Sequence, residues 1–169
     1  MTIEQYLSWF DDVLRTTEDM YHRVPTDKLN WKPTETSFTL GQLIEHMARA
    51  IRFNTRVIAS EDLPLNSMRE ILIANRRSPA ATPEEATKHL QEYSSIFRQA
   101  VRSLGSEKFE HGVVHTPQRG EMPVWRFAIF VLEHHLHHKM ELHMYLRLLG
   151  VDVNTRTLYG GMAATSPPS

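Results

Sequence analysis

The stretch Val131-Leu132-Glu133-His134-His135-Leu136-His137-His138-Lys139-Met140-Glu141-Leu142 decides how this chain is read. It holds no Pro or Gly and sits inside a longer helical run, from Pro123 to Leu149, that Gly150 closes. His134 and His138 are four residues apart, about one helical turn, so both imidazoles leave the same side of the helix. With His134 at zero and ~100° per residue, Phe127, Val131, His138, Leu142, Tyr145 and Leu149 all fall within about 80° of it. Both histidines therefore lie in the apolar face and point inward. A buried imidazole is costly unless its lone pair is taken up. A metal ion does that, and so does an ordinary hydrogen bond in the core. From spacing alone both readings stand.

Working outward, the rest of the chain is helical too. Thr2, with Gln5 three residues on, starts a first helix whose apolar residues Tyr6, Leu7, Phe10, Val13 and Leu14 recur at three- and four-residue intervals to about Tyr21. Pro25 to Ser37 reads as a loop. A second helix begins at Ser37 or Thr39, carries Leu40, Leu43, Ile44, Met47, Ile51 and Ile58 on one stripe, and ends near Ser60. A short helix is expected over 67–76. Thr82-Pro83-Glu84-Glu85 starts a third long helix, which stops near Gly105. Residues 113–121, with Pro117 and Gly120, read as a loop or short hairpin. Four long amphipathic helices without a repeated strand pattern predict an all-α fold, a four-helix bundle over residues 1–150. The tail, 151–169, is rich in Thr, Gly, Ser and Pro and is expected to pack on the bundle or fray.

Composition narrows the function. The 169 residues suit one domain, and 41% apolar content is that of a folded chain. The net charge of −1 comes from interspersed acids and bases, which argues against a nucleic-acid partner. There is no cysteine, so a thiolate metal site, a disulfide scaffold and a cysteine nucleophile are excluded, and any thiol chemistry must borrow its thiol. The N-terminus lacks the marks of a signal peptide and no run approaches ~18 apolar residues, so a cytoplasmic protein without a membrane span is expected.

A third histidine, His46, lies beside Leu43 and Met47 on the inward side of the second helix. Three inward histidines from two helices, His46, His134 and His138, suit one divalent ion with positions left open to water or substrate. Glu141 projects near −20° on the last helix. It could accept a hydrogen bond from a ligand histidine, ligate the ion itself or act as a general base; it is the candidate catalytic residue. His135, His137 and His143 project elsewhere and are expected at the surface or an interface. The zincin motif is absent, since His135 stands where that motif needs glutamate, and the paired Glu-x-x-His motifs of di-iron bundles are absent as well.

The run from Glu133 to Gly150 resembles the last-helix signature of DinB-like proteins, His-x-x-His-His-Arg-Gly-Gln-Leu followed by Tyr-Leu-Arg and Gly. The segment Ser37-Phe38-Thr39-Leu40-Gly41-Gln42-Leu43-Ile44-Glu45-His46-Met47-Ala48 is similar to the family's second-helix segment, which ends in a ligand histidine. Leu29 to Pro33 and Thr116 to Trp125 fit as well, so the resemblance spans nearly the whole chain. It implies the DinB/YfiT-like bundle, with His46, His134 and His138 binding zinc or nickel. It also implies a low-molecular-weight thiol as co-substrate for transfer to an electrophile. One departure is chemical: the family's Arg-Gly-Gln is Lys139-Met140-Glu141 here, a carboxylate in place of an amide near the ion.

Behind the metal-facing side, Ile129, Leu132, Leu136 and Met140 form a second apolar stripe, which another helix of the chain or a second copy, as a homodimer, would cover. Trp9, Trp31 and Trp125 are packing residues or pocket walls, and Tyr159 with Gly160-Gly161 is a candidate flap over the site. Three functions follow: a metal-dependent thiol S-transferase, a metal hydrolase with bound water as nucleophile and Glu141 as base, or a non-catalytic metal-binding stress-response bundle.

Overall fold

Thr2, Thr39 and Thr82 each begin a helix in the same way. The threonine hydroxyl accepts from the amide three residues on at 3.2 Å, and the Gln or Glu there reaches back to the threonine amide at 2.9–3.0 Å. Each of these capping boxes satisfies two amides that a helix start would otherwise leave open, for about 1 kcal/mol. A computed structural model describes residues 1–59, 80–116 and 120–160. The helices are α1 (Ile3–Tyr21), α2 (Leu40–Ile58), α3 (Pro83–His111), α4 (Val124–Leu148) and the short α5 (Thr155–Tyr159), with a 3-10 turn at Thr26–Lys28. The short helix expected over 67–76 lies outside the described residues.

The cross-links between helices give their directions. Tyr6 Oη donates to the Ala128 carbonyl at 2.9 Å and Thr17 meets His135 further along, so α1 and α4 run parallel. Asp11 pairs with Arg98 and Glu4 with Arg102, so α3 runs against α1. Glu45 meets His89 while Arg52 lies over Tyr93, so α2 and α3 run together. The bundle is thus up-down-down-up, with a long crossover from α2 to α3, and α4 lies antiparallel to α2.

Tyr6, Phe10, Phe97 and Phe109 pack ring against ring at centroid distances of 4.9–6.3 Å and join α1 to α3 at the centre of the core. Gly105 leaves helical geometry (φ 71°, ψ 161°), as expected, but the chain turns helical again and continues to His111. The segment expected as a loop or hairpin is an antiparallel hairpin of β1 (Val113–Thr116) and β2 (Gly120–Pro123), pairing Val114 with Met122.

One expectation about α4 is corrected. His135 and His143, expected at the surface or an interface, are buried within the chain, and so is Lys139 between them. His135 and Lys139, four positions apart, face α1, where Thr17 and Thr16 supply hydroxyls. Thr17 donates its proton to the Val13 carbonyl at 2.9 Å, so Nε2 of His135, 3.0 Å away, is the donor in their contact. Lys139 Nζ donates to Thr16 Oγ1. Within the second apolar stripe, Leu132 is buried in the chain's own core, as covering by another helix of the chain requires, whereas Met140 is 45% exposed. Finally, α5 lies along α1, with Gly160 beside Arg15 and Thr16, so it does not serve as a flap over the histidines of α2 and α4.

Candidate metal centre

His46 reaches the α2–α4 interface because its neighbour is held elsewhere. Glu45 is buried against α3, where His89 Nδ1 meets it at 2.9 Å and Arg49 Nε bonds its other oxygen. One residue later the helix has turned by ~100°, and His46 faces α4. The start of α2 is set by backbone bonds from Leu40 to the Trp31 carbonyl (2.8 Å) and from Gly41 to the Leu29 carbonyl (2.9 Å). At Gly41 a side chain would not fit: a Cβ there would lie 2.5 Å from that of Ala80.

The three histidines named from the sequence converge. Ring centroids are 4.6 Å apart for His46–His138, 4.7 Å for His134–His138 and 5.4 Å for His46–His134. One ring nitrogen from each lies within 4.8 Å of the others. That spacing allows one ion to be shared at the ~2.0–2.1 Å typical of zinc–nitrogen bonds after small side-chain adjustment. The His46 Nδ1 atom is buried and has no hydrogen-bond partner among the described residues. Burial, together with the other two histidines, pushes the pKa of His46 down to about 3, and burial with His138 pushes His134 to about 4. Both are therefore neutral at pH 7, the form that offers a lone pair to a metal. The residues present fit a divalent ion.

Glu141 lies behind His138. Its Oε2 is 2.8 Å from His138 Nδ1, and its Oε1 accepts the Tyr145 hydroxyl at 2.9 Å. The bond to His138 holds the carboxyl pKa below the usual range, while burial and Glu141 push Tyr145 up to about 12. With Nδ1 engaged, His138 presents Nε2 to the other histidines. Tyr145 Oη also lies 3.3 Å from the Phe38 carbonyl, tying the end of α4 to the start of α2.

Aromatic rings complete the surroundings. Phe38 stacks on His46 at 4.9 Å with 22° between planes, and Phe130 lies 6.2 Å from His134. Trp31 meets Tyr145 edge-on at 5.5 Å, whereas Trp9 and Trp125 are exposed elsewhere. The sequence reading missed Phe38 and Phe130. The available signals were a phenylalanine one turn before His134 and another beside the Thr39 cap.

Similarity to known proteins bears on the family and the fold. The DinB family model matches residues 1–165. The uncharacterized protein YjoA of Bacillus subtilis strain 168 is 24% identical over 148 residues, covering 86% of this chain and 90% of its own. Its crystal structure superposes with a TM-score of 0.69 at 16% identity, covering 93% of this chain and 99% of that one. A DinB-like protein from Bacillus cereus ATCC 10987 superposes with a TM-score of 0.73 at 18% identity, covering 90% and 96%. With the family model matching almost end to end, the chain belongs to the DinB family.

Proposed function

We propose that this protein is a metal-dependent enzyme that joins a low-molecular-weight thiol to an electrophile, using a divalent ion, zinc or nickel, held by His46, His134 and His138. The observation that carries the reading is the convergence of three histidines, with a buried His46 nitrogen that no group among the described residues satisfies. Bound there, the ion would lower the pKa of a coordinated thiol and keep it as the thiolate. A carbon–sulfur bond forms as the leaving group departs with its electron pair, and the thiol proton passes to water. The protein's own part is to hold the three rings, to orient His138 through Glu141, and to keep the ion's surroundings apolar with Phe38 and Phe130. The absence of cysteine accords with a borrowed thiol.

Glu141 is proposed as the positioning residue of His138. The hydrolase reading needs it as a base toward water, and two features count against that. Each of its oxygens already accepts a hydrogen bond, and its lowered pKa makes it a weaker base. We place the protein in the cytoplasm; among the described residues no helix is long and apolar enough to cross a membrane. We assign a homodimer to the outer edge of α4, where Met140 and Trp125 are 45% and 40% exposed and Ile129 and Leu136 are partly so.

The test is turnover of chlorodinitrobenzene by the zinc- or nickel-loaded protein with and without added thiol. Thiol-dependent product lost in His138→Ala supports the transferase. Ester hydrolysis without thiol would favour the hydrolase, and no turnover with either would leave a metal-binding bundle.

A further inference from the structure

Three successive residues of α2 are each engaged by a different helix. The Ile44 carbonyl accepts the Tyr21 hydroxyl of α1 at 2.8 Å, in a buried bond. The Glu45 carboxylate accepts from His89 Nδ1 of α3 at 2.9 Å. His46 then faces α4, where its ring lies 4.6 Å from that of His138 and 5.4 Å from that of His134. Arg49 bonds Glu45 as well, but it stands one turn along the same helix and cannot fix α2 against a neighbour.

The two outside partners are themselves held. Tyr21 is fully buried. His89 stacks on Tyr93, one turn further along α3, at 5.6 Å with 13° between planes, and Arg52 of α2 lies over the Tyr93 ring at 5.3 Å. His46 has less of its own to hold it. His138 is oriented by Glu141, whereas Nδ1 of His46 has no hydrogen-bond partner among the described residues. Phe38 stacks on the face of the His46 ring, and the direction of the side chain follows the rotation of α2. On a helix about 10–12 Å across, a turn of about 10° carries a group at the rim by about 1 Å. Metal–nitrogen distances hold to about 0.2 Å, so a displacement of that size costs binding.

From this arrangement we infer that Tyr21 and His89 are positioning residues of the metal centre, fixing α2 from two sides so that His46 meets His134 and His138. They act through the backbone and the neighbour of His46, not on its ring. The inference rests on the metal reading above and adds to it one residue from each of the two long helices, α1 and α3, that supply no ligand.

The experiment uses the full chain and cobalt(II), titrated in competition with a chromophoric chelator, with the visible bands of bound cobalt as a record of ligand geometry. Wild type is compared with Tyr21→Phe, His89→Ala and His89→Asn. Phe97→Leu is the control, since it loosens the ring cluster between α1 and α3 and lowers stability generally. His89→Ala should bind cobalt about tenfold more weakly, the low end of what supporting residues of metal ligands contribute, with shifted bands. Tyr21→Phe keeps the ring and loses only the hydroxyl, for a loss of about threefold. His89→Asn, whose amide nitrogen can donate where Nδ1 does, should return to within about twofold of wild type. Phe97→Leu should bind as wild type does. Should His89→Ala fail to fold, Tyr21→Phe decides. Wild-type affinity in both Tyr21→Phe and His89→Ala, a loss in Phe97→Leu as large as theirs, or no recovery in His89→Asn would overturn the inference while leaving the metal site standing. Failure of wild type to bind cobalt would overturn both.

Discussion

Nδ1 of His138 lies 2.8 Å from Oε2 of Glu141, one turn further along the same helix, and the other carboxylate oxygen takes the Tyr145 hydroxyl. A metal-ligating histidine that donates its second nitrogen to a carboxylate is fixed in tautomer and orientation, and such partners contribute to metal affinity. The family's glutamine at this position can accept the same hydrogen bond. A carboxylate here adds negative charge, which tightens metal binding and moderates Lewis acidity.

The first prediction follows from that pair. Glu141→Ala should weaken metal binding about 10- to 100-fold, and Glu141→Gln should recover most of it, because the amide oxygen still accepts from Nδ1. Competition with a chromophoric chelator measures this directly. Wild-type metal affinity in both variants, with turnover lost in both, would return Glu141 to the role of a base.

Metal content tests the trio itself. Protein purified without a histidine tag should carry about one divalent ion per chain by plasma mass spectrometry, as a single three-histidine site requires. His46→Ala, His134→Ala and His138→Ala should each lose it. Metal-free wild type that cannot be reloaded would make these histidines core residues.

Acid should destabilise the metal-free protein. Burial holds His135 at about 3, and His46 and His134 at about 3 and 4, so the folded chain keeps them neutral while the unfolded chain titrates at the ordinary value. The unfolded state therefore binds more protons on acidification. Stability falls as pH drops below about 6.5 and continues to fall toward the folded-state values. His135 alone should account for roughly 1.4 kcal/mol between pH 7.5 and 5.5. Urea denaturation at the two pH values reads it; identical midpoints would contradict the burial described here.

Gly41→Ala should destabilise the fold by about 1–3 kcal/mol, since the new methyl would overlap Ala80 and must displace the end of the crossover from α2. Because Gly41 also anchors the start of the helix that carries His46, metal affinity should fall with it. A thermal midpoint equal to that of wild type would show that the crossover yields without cost.

For the assigned homodimer, sedimentation should show a dimer at micromolar concentration and a monomer after Met140→Glu, with metal content unchanged. Wild-type protein that sediments only as a monomer would remove the dimer.

The sequence determined a good deal unaided. Three threonine capping boxes, the apolar periodicities and the four-residue spacing of His134 and His138 are local properties, and a helix turns local spacing into direction. That sufficed for four long helices, for the inward face of α4 and for the choice of His46 as the third histidine of the cluster. Periodicity describes one helix at a time, so it could not say which neighbour covers which face. His135 and Lys139 project away from the apolar stripe, yet α1 lies against that side with Thr17 and Thr16 as their partners. Leu132 is core for the same reason. Only the packing of α4 against both α1 and α2 decided these burials. The same packing brought Phe38, ahead of α2, to within 6.2 Å of His138 on α4, because contacts between elements depend on helix positions that no single-helix pattern encodes.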